Sequence, residues 1–242
     1  MRSFNAMGIN LPTDQLALAF KARMIKDGYE DVHLPHVVGR LSCEFCRACV
    51  PLRIVVPDFT FSENKRRLLK RNSDLEVAVS KAFFDVEEYS LYLRHYNARF
   101  KRQGDAPLNP DVYQLQKLSQ THNLTVRDRT SRKLLGMMFL EDFGDSIYAA
   151  GQIYDPAESE KRSLGHFGIL SLVKYAQAQK RIQHIYLGSW VKDSDTVGYK
   201  QRYQPLEAKI GPGDKGWVKF DPEKHQEGFH PPALNQISIK LP

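Results

Sequence analysis

Residues 160–190, EKRSLGHFGILSLVKYAQAQKRIQHIYLGSW, give the clearest indication of the fold of this chain. They begin with a basic turn that contains a glycine, continue as a helix and end in the strand-like segment HIYLGSW. A turn that leads into a helix presents backbone N–H groups and the positive end of the helix dipole to an anion. The predicted helix has a broad apolar surface for packing, made of Leu164, Phe167, Ile169, Leu170, Leu172, Val173 and Ala176.

Three strand-like stretches precede this segment, at residues 123–128, 134–143 and 146–154, and turn sequences separate them. The order of meander, basic turn, helix and strand resembles that of the GCN5-related acyltransferases. The resemblance implies an α+β, GNAT-like acyltransferase fold. In that fold the phosphates of an acyl carrier bind at the turn, and two neighbouring strands splay apart to admit an acceptor amine.

The rest of the chain supplies further elements. Helical spacing predicts helices at residues 14–26 and from Asp85 onward, and a cap followed by proline predicts another helix at Asn109-Pro110. Strands are expected at residues 50–61 and 75–80. We place the domain boundary after residue 84, so that residues 1–84 form a small N-terminal lobe with the cysteines and a basic helix, and residues 85–242 form the GNAT-like domain.

The basic helix lies between the two strands of the N-terminal lobe. Ser62 is a good N-cap, and Asn72 can adopt the left-handed conformation that closes a short helix. Cations packed this densely repel one another, so the segment indicates an anionic ligand or a solvated basic face. The cations are Lys65, Arg66, Arg67, Lys70 and Arg71.

Three cysteines, Cys43, Cys46 and Cys49, follow the spacing of metal ligands with one ligand missing. His33 or His36 could complete a zinc site. The other interpretations are an iron–sulfur cluster, a turn without metal, and thiols that are sensitive to oxidation. An odd number of cysteines within seven residues argues against a disulfide framework and for a reducing compartment.

Composition limits the class of protein. A formal net charge of +7 favours an anionic partner without naming one. No apolar run approaches the length of a membrane span, and the N-terminus lacks the apolar segment of a signal peptide. We therefore expect a cytoplasmic protein without a membrane partner.

Motifs scattered along the chain are similar to those of the aminoacyl-tRNA–protein transferases, the family of the eukaryotic arginyltransferases and the bacterial aspartate/glutamate leucyltransferases. They occur in the family's order: CRACVPLR at residues 46–53, F-x2-S-x3-R-R-x3-R-N-x-D-L at 59–75, Tyr154-Asp155-Pro156, RSLGHF at 162–167, YLGSW at 186–190 and YK-x2-Y-x-P-x-E at 199–207. The cysteine segment resembles that of the bacterial branch.

The resemblance implies transfer of an amino acid, leucine in preference to arginine, from charged tRNA to the N-terminal amine of proteins that begin with Asp or Glu. The product would be an N-degron, marked for degradation. Charged tRNA and polypeptides with an acidic N-terminal residue are the implied partners, and no cofactor is required for transfer. Zinc or iron–sulfur at the cysteines is a separate expectation.

An aminoacyl ester is already activated, so the enzyme needs to position its substrates more than to activate them. Candidate catalytic donors or relays are Tyr154, Ser163, Tyr186 and Tyr199. Candidate substrate-binding residues are Arg66, Arg67, Arg71, Lys200 and Trp190, because arginine suits two-point contacts with carboxylates. Candidate tRNA-binding residues are Lys65, Lys70, Lys161, Arg162 and Arg202.

Two alternatives stay open at this point. The first is an acyl-CoA-dependent GNAT acyltransferase, which would need neither the basic helix nor tRNA. The second is a catalytically altered homologue that binds N-degrons or tRNA. Ser189 and Val197, where the family usually has an aromatic residue and a methionine, suggest this second alternative.

Overall fold

The computed structural model describes residues 13–28, 30–34, 37–39, 46–83, 85–100 and 121–229. The predicted helix at Asn109-Pro110 and the first cysteine, Cys43, lie outside these ranges. The described α-helices are α1 (Thr13–Lys26), α2 (Glu63–Arg71), α3 (Val86–Arg99), α4 (Pro156–Arg162) and α5 (Leu164–Gln179). Two 3-10 helices span Gly198–Tyr203 and Asp214–Gly216.

The strands form a small and a large sheet. The small antiparallel sheet contains β1 (Glu30–Leu34) and β2 (Val37–Gly39). The large sheet has the order β10-β9-β3-β8-β7-β6-β5-β4. Its strands are β3 (Val50–Val55), β4 (Leu75–Lys81), β5 (His122–Asp128), β6 (Leu134–Asp142), β7 (Ser146–Tyr154), β8 (His184–Trp190), β9 (Leu206–Lys209) and β10 (Trp217–Lys219).

The pairing of β7 with β8 sets the shape of the sheet. Within the described strands this is the one parallel pair, and it extends over only three residue pairs, from Ser146 with His184 to Tyr148 with Tyr186. Beyond Tyr148 the two strands separate. This splayed pair, together with the β5–β6–β7 meander, confirms the predicted α+β, GNAT-like fold.

The large sheet crosses the predicted domain boundary after residue 84. Strand β3 precedes that boundary and pairs with β8 and β9, and β4 pairs with β5. The basic helix α2 therefore belongs to the same sheet domain as the basic turn. Of the predicted N-terminal lobe, only β1 and β2 form a separate sheet among the described residues.

Helices cover both faces of the sheet. On one face α5 buries Phe167, Leu170 and Val173 against the central strands. On the other face α3 buries Leu91, which packs with Met137 and Phe139 of β6. Burying one such side chain fully stabilises the folded state by about 1.5–3 kcal/mol. These contacts fix α3 and α5, which bear site residues, against the central strands.

Three local expectations differ from the structure. Strand β3 ends at Val55 instead of residue 61. Asn72 has φ −106° rather than a left-handed conformation. Its backbone N–H donates to the Leu69 oxygen and its Nδ2 to the Leu68 oxygen, so the helix is closed without a left-handed residue. Residues 161–165 are not an open turn after a strand. They join the end of α4 to the start of α5, with Ser163 between them.

None of the helices in the described ranges is long and apolar enough to cross a membrane.

Candidate active site

A cavity of about 490 Å³ lies beside the α4–α5 junction and the C-terminal half of β7. Side chains of α3, β7, α4, α5 and the segment after β8 converge on it. The lining residues are His95, Arg99, Phe100, Gln152, Tyr154, Ser159, Glu160, Ser163, Leu164, Gly165, His166, Asp195, Thr196 and Tyr199. Cavities of this size, with a few convergent polar groups, are typical of small-ligand sites.

Gln152 fastens the start of α5 to β7. Its Nε2 donates to the backbone carbonyl oxygens of Leu164, at 3.2 Å, and of Gly165, at 3.1 Å. Gly168 makes this approach possible, since a Cβ atom at that position would lie 2.5 Å from the Gln152 Nε2. The glycines in RSLGHFG thus allow helix and strand to pack closely at the cavity.

The α4–α5 junction is a short, well-defined corner. Helix α4 begins after Asp155, whose carboxylate accepts a hydrogen bond from the Ala157 N–H at 3.0 Å, and Pro156 occupies its first turn. Ser163 then takes φ 52° and ψ 48°, a left-handed conformation that is uncommon for a residue with a Cβ. The chain turns at Ser163, and the N-terminus of α5 lies at the cavity.

Helix α3 contributes a histidine and an arginine to the cavity. The His95 Nδ1 lies 3.0 Å from the Tyr154 backbone oxygen, and the two rings meet edge to face at 4.5 Å. Burial lowers the pKa of His95. Arg99 donates a hydrogen bond from Nη1 to the Tyr154 hydroxyl. The ring packing with His95 and the hydrogen bond from Arg99 fix the Tyr154 side chain at the C-terminal end of β7.

The segment after β8 supplies the facing tyrosines. Tyr199 packs its ring edge to face with His166, at 5.7 Å and 89°. The Tyr203 hydroxyl lies 2.6 Å from the His166 Nδ1. Burial raises the pKa of both phenols, Tyr199 and Tyr203, so each keeps its proton at neutral pH.

The structure brings three of the four predicted catalytic residues together. Tyr154, Ser163 and Tyr199 all line the cavity. Tyr186 does not line it, because it packs with Tyr148 and Trp217 in a separate cluster and its hydroxyl accepts from the Arg53 Nη1 at 3.2 Å. Successive residues of a strand point to opposite faces, and the flanking Ile185 and Leu187 face the main core instead.

The predicted substrate-binding residues divide in the same way. Arg71 lies next to the cavity, since its Nη2 donates to the Oγ of the lining residue Ser163 at 3.1 Å. Arg66 donates to the Phe61 backbone oxygen, and Arg67 pairs with Glu63 on the same helix.

The other two predicted substrate-binding residues contact backbone outside the cavity lining. The Lys200 Nζ donates to the Ser189 backbone oxygen at 2.6 Å. Trp190 is buried, and its Nε1 donates to the Gly198 backbone oxygen at 3.1 Å. Their predicted roles remain predictions.

The predicted tRNA-binding cations differ in exposure and in their contacts. Lys70, Lys161 and Arg202 are exposed. The Lys65 Nζ lies 4.3 Å from the centre of the Phe59 ring, and burial lowers the pKa of this lysine. Arg162 differs from the others, because it pairs with Asp74 at 2.9 Å and with Glu158 at 3.3 Å.

The cysteine site is only partly described. Cys46 is exposed and Cys49 is half-buried, whereas Cys43 lies outside the described residues. In the ranges that the structure covers, no group of three or more His, Cys, Asp or Glu side chains is arranged to hold a metal ion. The expectation of zinc or iron–sulfur at the cysteines stays a prediction.

Among the cavity residues that were not predicted from the sequence, four make the polar contacts described above: His95, Arg99, Gln152 and His166. His166 lies inside the RSLGHF motif, so the motif itself was a signal for it. His95 and Arg99 are one helical turn apart on α3, and no motif in the sequence marked them as site residues. Gln152 lies in the second half of strand β7, and no motif marked it either.

The chain matches a family model described as "Arginine-tRNA-protein transferase, C terminus" over residues 87–210, a range that includes all of the residues that line the cavity. The chain belongs to this family. The predicted family, and with it an enzyme of the aminoacyl-tRNA–protein transferase class, is therefore confirmed.

Several curated proteins that are similar to this chain are named aspartate/glutamate leucyltransferase. One, from Mesorhizobium japonicum, is 33% identical over 78% of this chain and 77% of its own length. Another, from Chromohalobacter salexigens, is 34% identical over 69% of this chain and 68% of its own length. Among solved structures, L-PGS from Bacillus licheniformis is similar at 12% identity, with a TM-score of 0.48 over 63% of this chain and 50% of that chain.

Proposed function

We propose that this transferase moves leucine from leucyl-tRNA to the N-terminal amine of polypeptides that begin with Asp or Glu. The observation that carries the proposal is the cavity beside the splayed strands, where Tyr154, Ser163 and Tyr199 meet and Arg71 reaches Ser163. The names of the curated relatives support leucine as the transferred residue and acidic residues as the acceptors. Marking of the product for degradation is part of the same proposal.

The reaction needs little activation. The acceptor's α-amine has a pKa near 8, so about a tenth of it is neutral at pH 7. The neutral nitrogen attacks the ester carbonyl carbon, a C–N bond forms, and the carbonyl electron pair moves onto oxygen. When the C–O ester bond breaks, the ribose oxygen leaves and the proton lost by the amine ends on it.

The cavity residues fit two parts of this reaction. Hydroxyl groups of Tyr154, Ser163 and Tyr199 can donate to the ester oxygens or relay the proton. An acceptor carboxylate needs a cationic partner, because an unpaired buried charge is costly. Arg71, beside Ser163, and Arg99, beside Tyr154, are both placed to bind this carboxylate.

The test is a transfer assay with purified protein. Leucyl-, arginyl- and phenylalanyl-tRNA are each combined with peptides that begin with Asp, Glu, Asn, Gln, Lys or Arg, and mass spectrometry detects the added residue. We expect leucine on the Asp and Glu peptides. Transfer of arginine alone, or of leucine to basic N-termini alone, would refute the substrate assignment.

The same assay includes acetyl-CoA as the control donor. An acyl-CoA-dependent enzyme would acetylate the peptides and ignore charged tRNA. A binding homologue would retain the acidic peptides without modifying them. Either result would replace the proposed activity with one of the two alternatives.

A further inference from the structure

His166 occupies the first turn of α5 and lines the cavity beside Ser163 and Tyr199. One of its ring nitrogens has a fixed partner, since Nδ1 lies 2.6 Å from the Tyr203 hydroxyl. Within the described residues the other ring nitrogen, Nε2, has no hydrogen-bond partner. The question is which nitrogen carries the proton, because a neutral imidazole has one donor and one acceptor nitrogen.

The surroundings of Tyr203 indicate which ring nitrogen of His166 carries the proton. The residue is 2% exposed and belongs to the main apolar core. Among the residues that the structure describes, the His166 ring is the one hydrogen-bond partner of the Tyr203 hydroxyl. A buried hydroxyl proton without an acceptor is costly, so the hydroxyl donates to the His166 Nδ1. The imidazole then carries its own proton on Nε2.

The same contact disfavours the charged imidazole. If His166 were protonated, both ring nitrogens would be donors and the Tyr203 hydroxyl would lose its acceptor. Burial, and secondarily the positive charge of Arg202, lower the pKa of His166. Arg202 and the phenols of Tyr199 and Tyr203 lie near the ring, and Glu160 and Asp195 line the same cavity. Within the described residues His166 forms no ion pair with a carboxylate. His166 is therefore neutral at pH 7, and its Nε2–H is available to donate a hydrogen bond to a bound substrate.

We propose that His166 donates a hydrogen bond through Nε2 to the oxygen of the ester carbonyl as negative charge develops on it, and that Tyr203 is the positioning residue that holds this tautomer. The proposal rests on the proposed aminoacyl transfer and assigns a role within it. A base would need its lone pair on the free nitrogen, and the Tyr203 contact puts that lone pair on Nδ1.

The role leaves the proton balance of the reaction unchanged. The amine attacks, the C–N bond forms and the carbonyl oxygen becomes negatively charged while it accepts from the Nε2–H. The C–O ester bond then breaks, and the ribose oxygen receives the proton that the amine has lost. His166 keeps its proton throughout, as a donor in an oxyanion site does.

Two substitutions at position 166 separate a donor from a base. Glutamine can place an N–H close to the position of Nε2 but cannot take up a proton, whereas alanine offers neither. We expect His166→Ala to lower kcat by about 100-fold or more and His166→Gln to lower it less than tenfold, with KM for leucyl-tRNA unchanged in both. Equal losses in the two variants would overturn the proposal, because a base is lost in both.

The tautomer is measured without any substrate. Nitrogen-15 NMR of histidine-labelled wild-type protein at pH 7.5, with His166→Gln for assignment, distinguishes a protonated Nε2 from a protonated Nδ1. We expect the Nε2–H form, and in Tyr203→Phe a mixture of the two forms with a loss of kcat between those of the position-166 variants. A wild-type Nδ1–H tautomer would overturn the proposal even if Tyr203→Phe failed to fold.

Failure of the proposed function gives a different result. A wild-type protein that transfers leucine but has the Nδ1–H tautomer overturns the role of His166 alone. A wild-type protein with the Nε2–H tautomer that transfers no leucine overturns the proposed function, and the oxyanion role with it.

Discussion

Arg162 and Asp74 form a two-point ion pair, with the Arg162 Nη1 and Nη2 at 3.0 and 2.9 Å from the two carboxylate oxygens of Asp74. The pair joins the end of α4 to the segment between α2 and β4, and Asn72 adds a hydrogen bond from Nδ2 to the Arg162 backbone oxygen at 3.0 Å. Arg162 therefore anchors the corner at Ser163, and its predicted contact with tRNA stays a prediction.

The first prediction separates anchoring from tRNA binding. Lys161 is exposed next to the anchored Arg162. We expect Lys161→Ala to reduce the slope of log affinity for tRNA against log salt concentration by about one, because each neutralised phosphate contributes about that much. Arg162→Gln removes the charge together with the two-point pair and should lower the transfer rate while leaving the slope unchanged. A slope lowered by about one in Arg162→Gln would return this residue to the tRNA contacts.

The second prediction compares two tyrosines that the sequence motifs place together. Tyr154 lines the cavity, and its hydroxyl accepts from Arg99. The Tyr186 hydroxyl is engaged by Arg53 in a separate cluster. We expect Tyr154→Phe to lower kcat by about 10- to 100-fold, in the range of a lost donor or relay. Tyr186→Phe should affect thermal stability more than kcat, and a kcat loss as large as that of Tyr154→Phe would contradict the structural division.

The third prediction concerns the acceptor carboxylate. Arg66 and Arg71 were both predicted to bind substrate, but Arg71 contacts Ser163 and Arg66 contacts the Phe61 backbone. At saturating leucyl-tRNA, Arg71→Ala should lower transfer to an Asp-starting peptide more than to an Asn-starting peptide, with Lys a poor replacement. Arg66→Ala is the matched control and should change this ratio little. Equal losses on both peptides in Arg71→Ala would exclude the carboxylate role.

The fourth prediction tests the attachment of α5 to β7. Gly168→Ala brings a Cβ atom 2.5 Å from the Gln152 Nε2, so the amide must leave the carbonyl oxygens of Leu164 and Gly165. Only the end of a flexible side chain moves, and we expect a destabilisation of about 1 kcal/mol, or ~2–4 °C in Tm, with a larger fall in transfer rate.

Gly136→Ala is the control for this substitution. Gly136 lies in β6, and a Cβ atom there would meet Ile153 of β7 and Val126 of β5 at the ordinary distance of 3.6 Å. An unchanged transfer rate in Gly168→Ala would show that the Gln152 contacts are dispensable.

The fifth prediction is a loss of stability in mild acid. Burial lowers the pKa of His95, His166 and His184 below that of an unfolded histidine, which is about 6.5. The unfolded chain therefore binds more protons as the pH falls, and stability present above pH ~6.5 is lost as the pH drops toward the folded values. Tm should fall between pH 7.5 and pH 5, and by less in His95→Gln. A Tm that rises over this interval would contradict the assignment.

Much of the secondary structure followed from local patterns. The predicted strands at residues 123–128, 134–143 and 146–154 agree with β5, β6 and β7, because turn residues mark both ends of each apolar stretch. Helix α4 was missed as a helix, although the cap at Asp155 and the following Pro156 are start signals. A helix of one to two turns depends on its tertiary contacts, here on the ion pair of Arg162 with Asp74.

The amino-acid sequence by itself determined the order of strands β5, β6 and β7, helix α5 and strand β8, the family, and the presence of hydroxyl and cationic side chains in the family's motifs. Only the tertiary structure decided that Tyr154 faces the cavity and Tyr186 does not, and that Arg71 reaches Ser163 while Arg162 pairs with Asp74. The reason is physical. A strand residue takes its face from the register of pairing, and a cation takes its partner from groups that are distant in the chain, such as Asp74, 88 positions from Arg162.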